Sequence, residues 1–132
     1  MVALAVAGVV IYRWYALSKG ERSAGILSIF KAFQDVQLVV AHESNIDLSD
    51  LGDFVKSLSQ KDKLFSNDNA LLTYIEEYYK RCAELNRKNE RIRITQTREE
   101  LEMLMNQRNQ LVQWFRGQDK IIRHHFSRYI TV

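Results

Sequence analysis

Residues 68–88 read DNALLTYIEEYYKRCAELNRK, and Leu71, Ile75, Tyr78, Cys82 and Leu85 recur in them at steps of four, three, four and three. That is the a/d spacing of one apolar seam along a helix. Ser66-Asn67-Asp68 stands before it in the form of a cap. Beyond Lys88 the run Arg91-Ile92-Arg93-Ile94-Thr95-Gln96 is rich in β-branched residues. Their restricted side chains lower helix propensity, so a turn is expected there. Thr97-Arg98-Glu99-Glu100 then has the pattern of a capping box. It predicts a second helix from Thr97 to about Ile130, with the seam Leu101, Leu104, Arg108, Leu111, Phe115, Gln118 and Ile122.

The two seams do not share one register. A long antiparallel helical hairpin accommodates that break. A single rod over residues 67–130 is the competing arrangement, because no proline or glycine enforces the turn. With Lys88 facing Thr97, Asp68 lies opposite Gly117. Residues 118–130 then project about 20 Å past their partner. Their apolar residues, Ile121, Ile122, Phe126, Tyr129 and Ile130, need another surface: an upstream helix, a second copy of the chain or a membrane. The same arithmetic sets Arg108 beside Glu76 or Glu77. Either it pairs there, or its stem packs and its head reaches water.

Upstream, Ile26, Ile29, Phe30, Phe33, Val36 and Val40 form one stripe and predict a helix from Glu21 to Ala41. A shorter helix is expected near Leu48–Leu58, with Asp47 or Ser49 as its N-cap. Asp47, Asp50 and Asp53 invite a calcium loop, but Leu58 stands where the bidentate glutamate belongs. Helix capping is the better account. The 132 residues contain no proline and five glycines. That scarcity of punctuation fits an all-α bundle and opposes an all-β fold.

The chain opens MVALAVAGVVIY, uncharged, and continues with Arg13, Trp14 and Tyr15. Residues 1–20 read as an apolar membrane anchor and residues 21–132 as a helical interaction domain. Tyr12, Trp14 and Tyr15 suit the interfacial belt, and Arg13 can snorkel to it. Val2–Leu17 spans about 24 Å as a helix, against a hydrocarbon core of about 30 Å. The span works with local thinning of the bilayer, or with further chain ahead of Met1. A signal peptide fits less well, because the bases follow the apolar run. A short helix buried among protein surfaces is the structural alternative. If the segment spans, Arg13, Lys19, Arg22 and Lys31 place the C-terminal domain in the cytoplasm.

Net charge is +3, carried at the ends: +2 over residues 1–20, −2 over 21–66, zero over 67–110 and +3 over 111–132. So small and localised a bias argues against double-stranded nucleic acid. The C-terminal bases are the candidate surface for an anionic ligand or lipid. Arg116, Lys120 and Arg123 recur along one helix face, His124 lies beside them, and Arg128 follows a turn later. A plain polar helix face is the competing reading. His124 and His125 are adjacent, so they diverge on a helix and do not share a metal. Cys82, the single cysteine, occupies a seam position and reads as core. No nucleophile elbow, P-loop or dinucleotide fingerprint is present. The expectation is therefore a non-enzymatic chain without metal or cofactor. It would be anchored in the membrane by one span and act through self-assembly and protein contacts. Two alternatives stand beside it. One is a membrane sensor-effector that binds a nucleotide-like anion through the basic patch. The other is an accessory subunit whose anchor packs on other proteins of a membrane complex.

Overall fold

A computed structural model of the chain describes residues 19–42 and 45–131. The proposed anchor, with Tyr12, Arg13, Trp14 and Tyr15, lies outside the described residues. Within them the fold is all-α. The helices are α1 (Lys19–Ala41), α2 (Ser49–Lys56), α3 (Leu58–Phe65), α4 (Asn69–Ile94), α5 (Arg98–Arg116) and α6 (Gln118–Phe126).

The core is aromatic. All six phenylalanines are buried, together with Tyr78. The α1 stripe from Ile26 to Val40 lies wholly inside, and so does the α4 seam from Leu71 to Leu85. On α5 the buried positions are Leu104, Leu111 and Phe115. Gln118 and Ile122 continue that face on α6. By length and composition Gly20–Ala41 is also apolar enough to cross a membrane. In the bundle it is the helix around which the others pack. Gly25 permits part of that packing: a Cβ there would stand 2.8 Å from a Leu64 methyl group.

Several boundaries depart from the sequence expectations. The short helix over 48–58 is two helices, because Ser57 ends α2 and caps α3 by accepting from the Gln60 amide at 3.3 Å. Leu58–Phe65 is thus a helix that apolar periodicity alone does not assign. Neither Asp47 nor Ser49 is the N-cap of α2; that place belongs to Leu48. Asp47 nevertheless accepts from both the amide and the hydroxyl of Ser49. The Ser49 hydroxyl, then its amide, hold the Asp47 carboxyl below its ordinary value. Asn67 takes the left-handed φ of 64° that asparagine tolerates. Asp68 caps α4 through the Leu71 amide at 3.1 Å, in the manner expected.

The hairpin is antiparallel, but its turn is Thr95-Gln96-Thr97, later than the sequence predicts. α4 runs straight through Ile92 and Ile94. Each β-branched residue costs only a few tenths of a kcal/mol in a helix, and contacts between the arms outweigh that. Lys88 bonds Gln107 at 2.7 Å and Arg91 pairs with Glu100 at 3.2 Å. Thr97 precedes α5 as its N-cap, yet its side chain makes no capping bond, so the capping box does not form. The later turn also corrects the register. Arg108 donates to Asn89 at 2.7 Å. Glu76 instead pairs with Lys61, and Glu77 with Arg81.

The second arm is not one helix to Ile130. It is interrupted at Gly117, and α6 continues along α1 and the first half of α4, where Tyr74 bonds Gln118 and Tyr129 bonds Asp68. The C-terminal overhang expected from the sequence is therefore absent: Phe126 meets Phe30, Phe33 and Phe65 at ring separations of 5.4, 5.6 and 5.9 Å. The projecting part is the hairpin turn at the opposite end. There the last buried residue of α4 is Leu85 and the first of α5 is Leu104.

Candidate interaction surface

The break at Gly117 positions the C-terminal bases. Its φ of −85° is open to any residue, so a left-handed backbone is not the reason for glycine. Glycine is simply a poor helix former, and two side-chain amides satisfy the carbonyls released at the end of α5. Gln37 Nε2 donates to Phe115 O at 2.9 Å, and Gln118 Nε2 donates to Trp114 O at 3.1 Å. Each glutamine also accepts a tyrosine hydroxyl. Tyr78 donates to Gln37 at 2.8 Å and Tyr74 donates to Gln118 at 2.6 Å. Burial pushes both phenols well above their usual range, with the nearby Cys82 adding to it. They act as fixed donors. The sequence carried one sign of this pair of clamps: Gln118 is a polar residue at a seam position. Gln37 gave none.

The candidate bases run from the end of α5, along α6 and just past it. Arg116, Lys120, Arg123, His124 and Arg128 are all exposed. The structure distinguishes among them. Arg123 is held by Asp119 at 3.1 Å and lies 5.9 Å over the Phe30 ring. Arg128 lies within electrostatic reach of Asp68. Burial pushes the Asp68 carboxyl up, but bonds from the Tyr129 hydroxyl and the Leu71 amide, with the charges of Arg128 and His125, outweigh it and leave it below its usual value. The Tyr129 hydroxyl, donating to Asp68, is pushed up to about 12, by burial first and then by that bond. His125 turns inward, its ring 4.8 Å from that of Tyr74. Burial lowers its basicity against the raising effect of Asp68. The two histidines thus serve different surroundings. Among the described residues no group of three or more His, Cys, Asp or Glu side chains gathers to hold a metal.

A comparison with family models, characterised proteins and solved structures finds no match for this chain. Function must be argued from its own surfaces.

Among the described residues the surface grooves are small and open to solvent. One of about 320 Å³ between α4 and α5 is lined by Arg81, Glu84, Lys88, Gln107, Gln110 and Leu111. Arg81 also covers the Trp114 ring at 4.4 Å, a cation–π contact that seals the upper core. Cys82 sits beneath, fully buried, and burial pushes its thiol up to about 12. A thiol in that state is inert at neutral pH. Cys82 is therefore expected to resist iodoacetamide at pH 8 in the folded chain and to react within minutes in urea. Stoichiometric labelling of the native chain, read by mass spectrometry, would contradict its place in the core.

Proposed function

We propose that this chain is a single-pass membrane protein whose helical domain works by binding copies of itself and other proteins, without catalysis. The observation that carries this reading is the junction at the N-terminus. Uncharged Met1–Tyr12 is followed at once by Arg13, Trp14 and Tyr15, and α1 of a closed bundle begins only four residues later. An apolar run with an interfacial belt and a basic edge is suited to a membrane boundary. The domain behind it offers surfaces in place of a cleft. Leu38 on α1 is 62% exposed and Ile94 at the hairpin tip 67% exposed, with Met103 and Met105 exposed near that tip. Methionine-rich apolar surface adapts to partners.

Full-length chain expressed in a bacterial membrane is expected to resist extraction by alkaline carbonate. In mild detergent it should sediment as a species larger than one chain. Release by carbonate would reject the anchor, and a strictly monomeric species at high concentration would reject self-assembly.

A further inference from the structure

The bundle has two unlike ends. One gathers the start of α1, the end of α3, the start of α4 and the end of α6. Arg22 donates there to Leu64 O at 3.1 Å, Phe65 meets Tyr129 at 5.2 Å, and Tyr129 bonds Asp68. The hairpin turn stands at the other end, about 39 Å along α4. Residues 1–18 join the bundle at the first end, because α1 starts there.

We infer that this first end docks on an anionic lipid surface, with Arg128 toward the headgroups and Tyr129 and Ile130 at the interface. The inference rests on the membrane-anchored reading above and adds the face, the lipid class and the residues. Three observations carry it. First, the chain's path brings residues 127–131 to the end from which the apolar opening departs. Second, two carboxylates on this side of the bundle, Asp68 and Asp119, are engaged within the protein, while Glu21 and Asp62 at the same end are exposed. Asp68 holds the Leu71 amide and the Tyr129 hydroxyl, and Asp119 holds Arg123. Arg128 and Lys120 stay exposed. Third, Tyr129 and Ile130 directly follow Arg128, and each packs partly on the core while leaving part of its surface outside, so this end presents aromatic, aliphatic and cationic groups together, a mixture suited to the headgroup level.

Distance ranks the bases. Lys120 stands about 12 Å back from Arg128 and Arg116 about 18 Å back, at 1.5 Å per helical residue. The screening length is about 8 Å at physiological salt. Among the C-terminal bases Arg128 therefore dominates, Lys120 contributes less, and Arg116 lies beyond reach; Arg22 stands exposed at the same end. A base near an anionic leaflet changes the ratio of docked to undocked domain by about fivefold.

The test uses full-length chain reconstituted in vesicles of phosphatidylcholine alone or with phosphatidylserine. A spin label is placed at Thr131→Cys, or at Gln96→Cys in the hairpin turn; buried Cys82 stays unlabelled. On phosphatidylserine vesicles the Thr131→Cys label should lose most of its collisions with a water-soluble nickel chelate. The Gln96→Cys label should keep its collisions, and Arg128→Glu should restore those at Thr131→Cys at least fivefold. Arg128→Gln should restore them in part. Equal exposure of the Thr131→Cys label on both vesicles, with the chain still bound, overturns the docking and leaves the anchor standing. A chain that does not float with vesicles of either composition overturns the anchor, and the docking with it.

Discussion

Phe126→Ala is expected to lower the unfolding free energy by about 3–5 kcal/mol. Phe126 is fully buried, and its ring touches those of Phe30, Phe33 and Phe65. It joins α6 to α1 and α3 at once. Truncation removes the largest apolar contact of a nine-residue helix, and a helix that short does not persist without packing. The cavity would open at the place where three helices meet, so it cannot collapse by moving one of them. Against a total stability of about 5–15 kcal/mol for an ordinary domain, the loss is large. Ile121→Ala supplies the comparison. It lies on the same helix, is 41% exposed, and should change stability by about 0.5 kcal/mol or less. Urea unfolding of the full chain in mild detergent, followed by circular dichroism, measures both. Similar small effects for the two would mean that α6 is not seated on α1.

The contrast between these two isoleucine and phenylalanine sites shows what the sequence makes legible. Stripes that repeat every three or four residues report a buried face, and those of α1 and α4 read correctly because their partners lie along their whole length. Arg108 and Gln118 interrupt the second seam, and periodicity assigns them to the same face without saying what meets them. The answers, Asn89 and Tyr74, depend on a hairpin register that is set by where the turn falls. Differences of a few tenths of a kcal/mol per residue choose between a turn at Arg91 and one at Thr95. Local propensity is too weak for that choice; the contacts Lys88–Gln107 and Arg91–Glu100 make it. The five bases of the candidate surface were legible as a cluster. Their inequality was not, because it comes from Asp119, Phe30 and the distance of each base from the start of α1.

The direction of α6 is fixed from farther away still, by Gln37, which lies 78 residues before Phe115. Gln37→Leu removes an acceptor from the fully buried Tyr78 and a donor from the Phe115 carbonyl. Each orphaned buried group costs about 1–3 kcal/mol. Gln37 is itself half-buried, so water can reach part of the damage. A loss of about 2–3 kcal/mol is expected. Tyr78→Phe alone leaves only the half-buried Gln37 oxygen unpaired and should cost about 1 kcal/mol. In the double variant the Tyr78 hydroxyl and its acceptor disappear together, and Phe115 O is left with only the Gly117 amide. The double variant should therefore lose less than the sum of the singles, by about 1 kcal/mol. Strict additivity in the same urea experiment would show that the tyrosine, the glutamine and the carbonyl do not act as one clamp. A residual loss in the double variant is the part that belongs to the helix end. It is the energetic link between the middle of α1 and the path by which α6 carries Arg123 and leads on to Arg128.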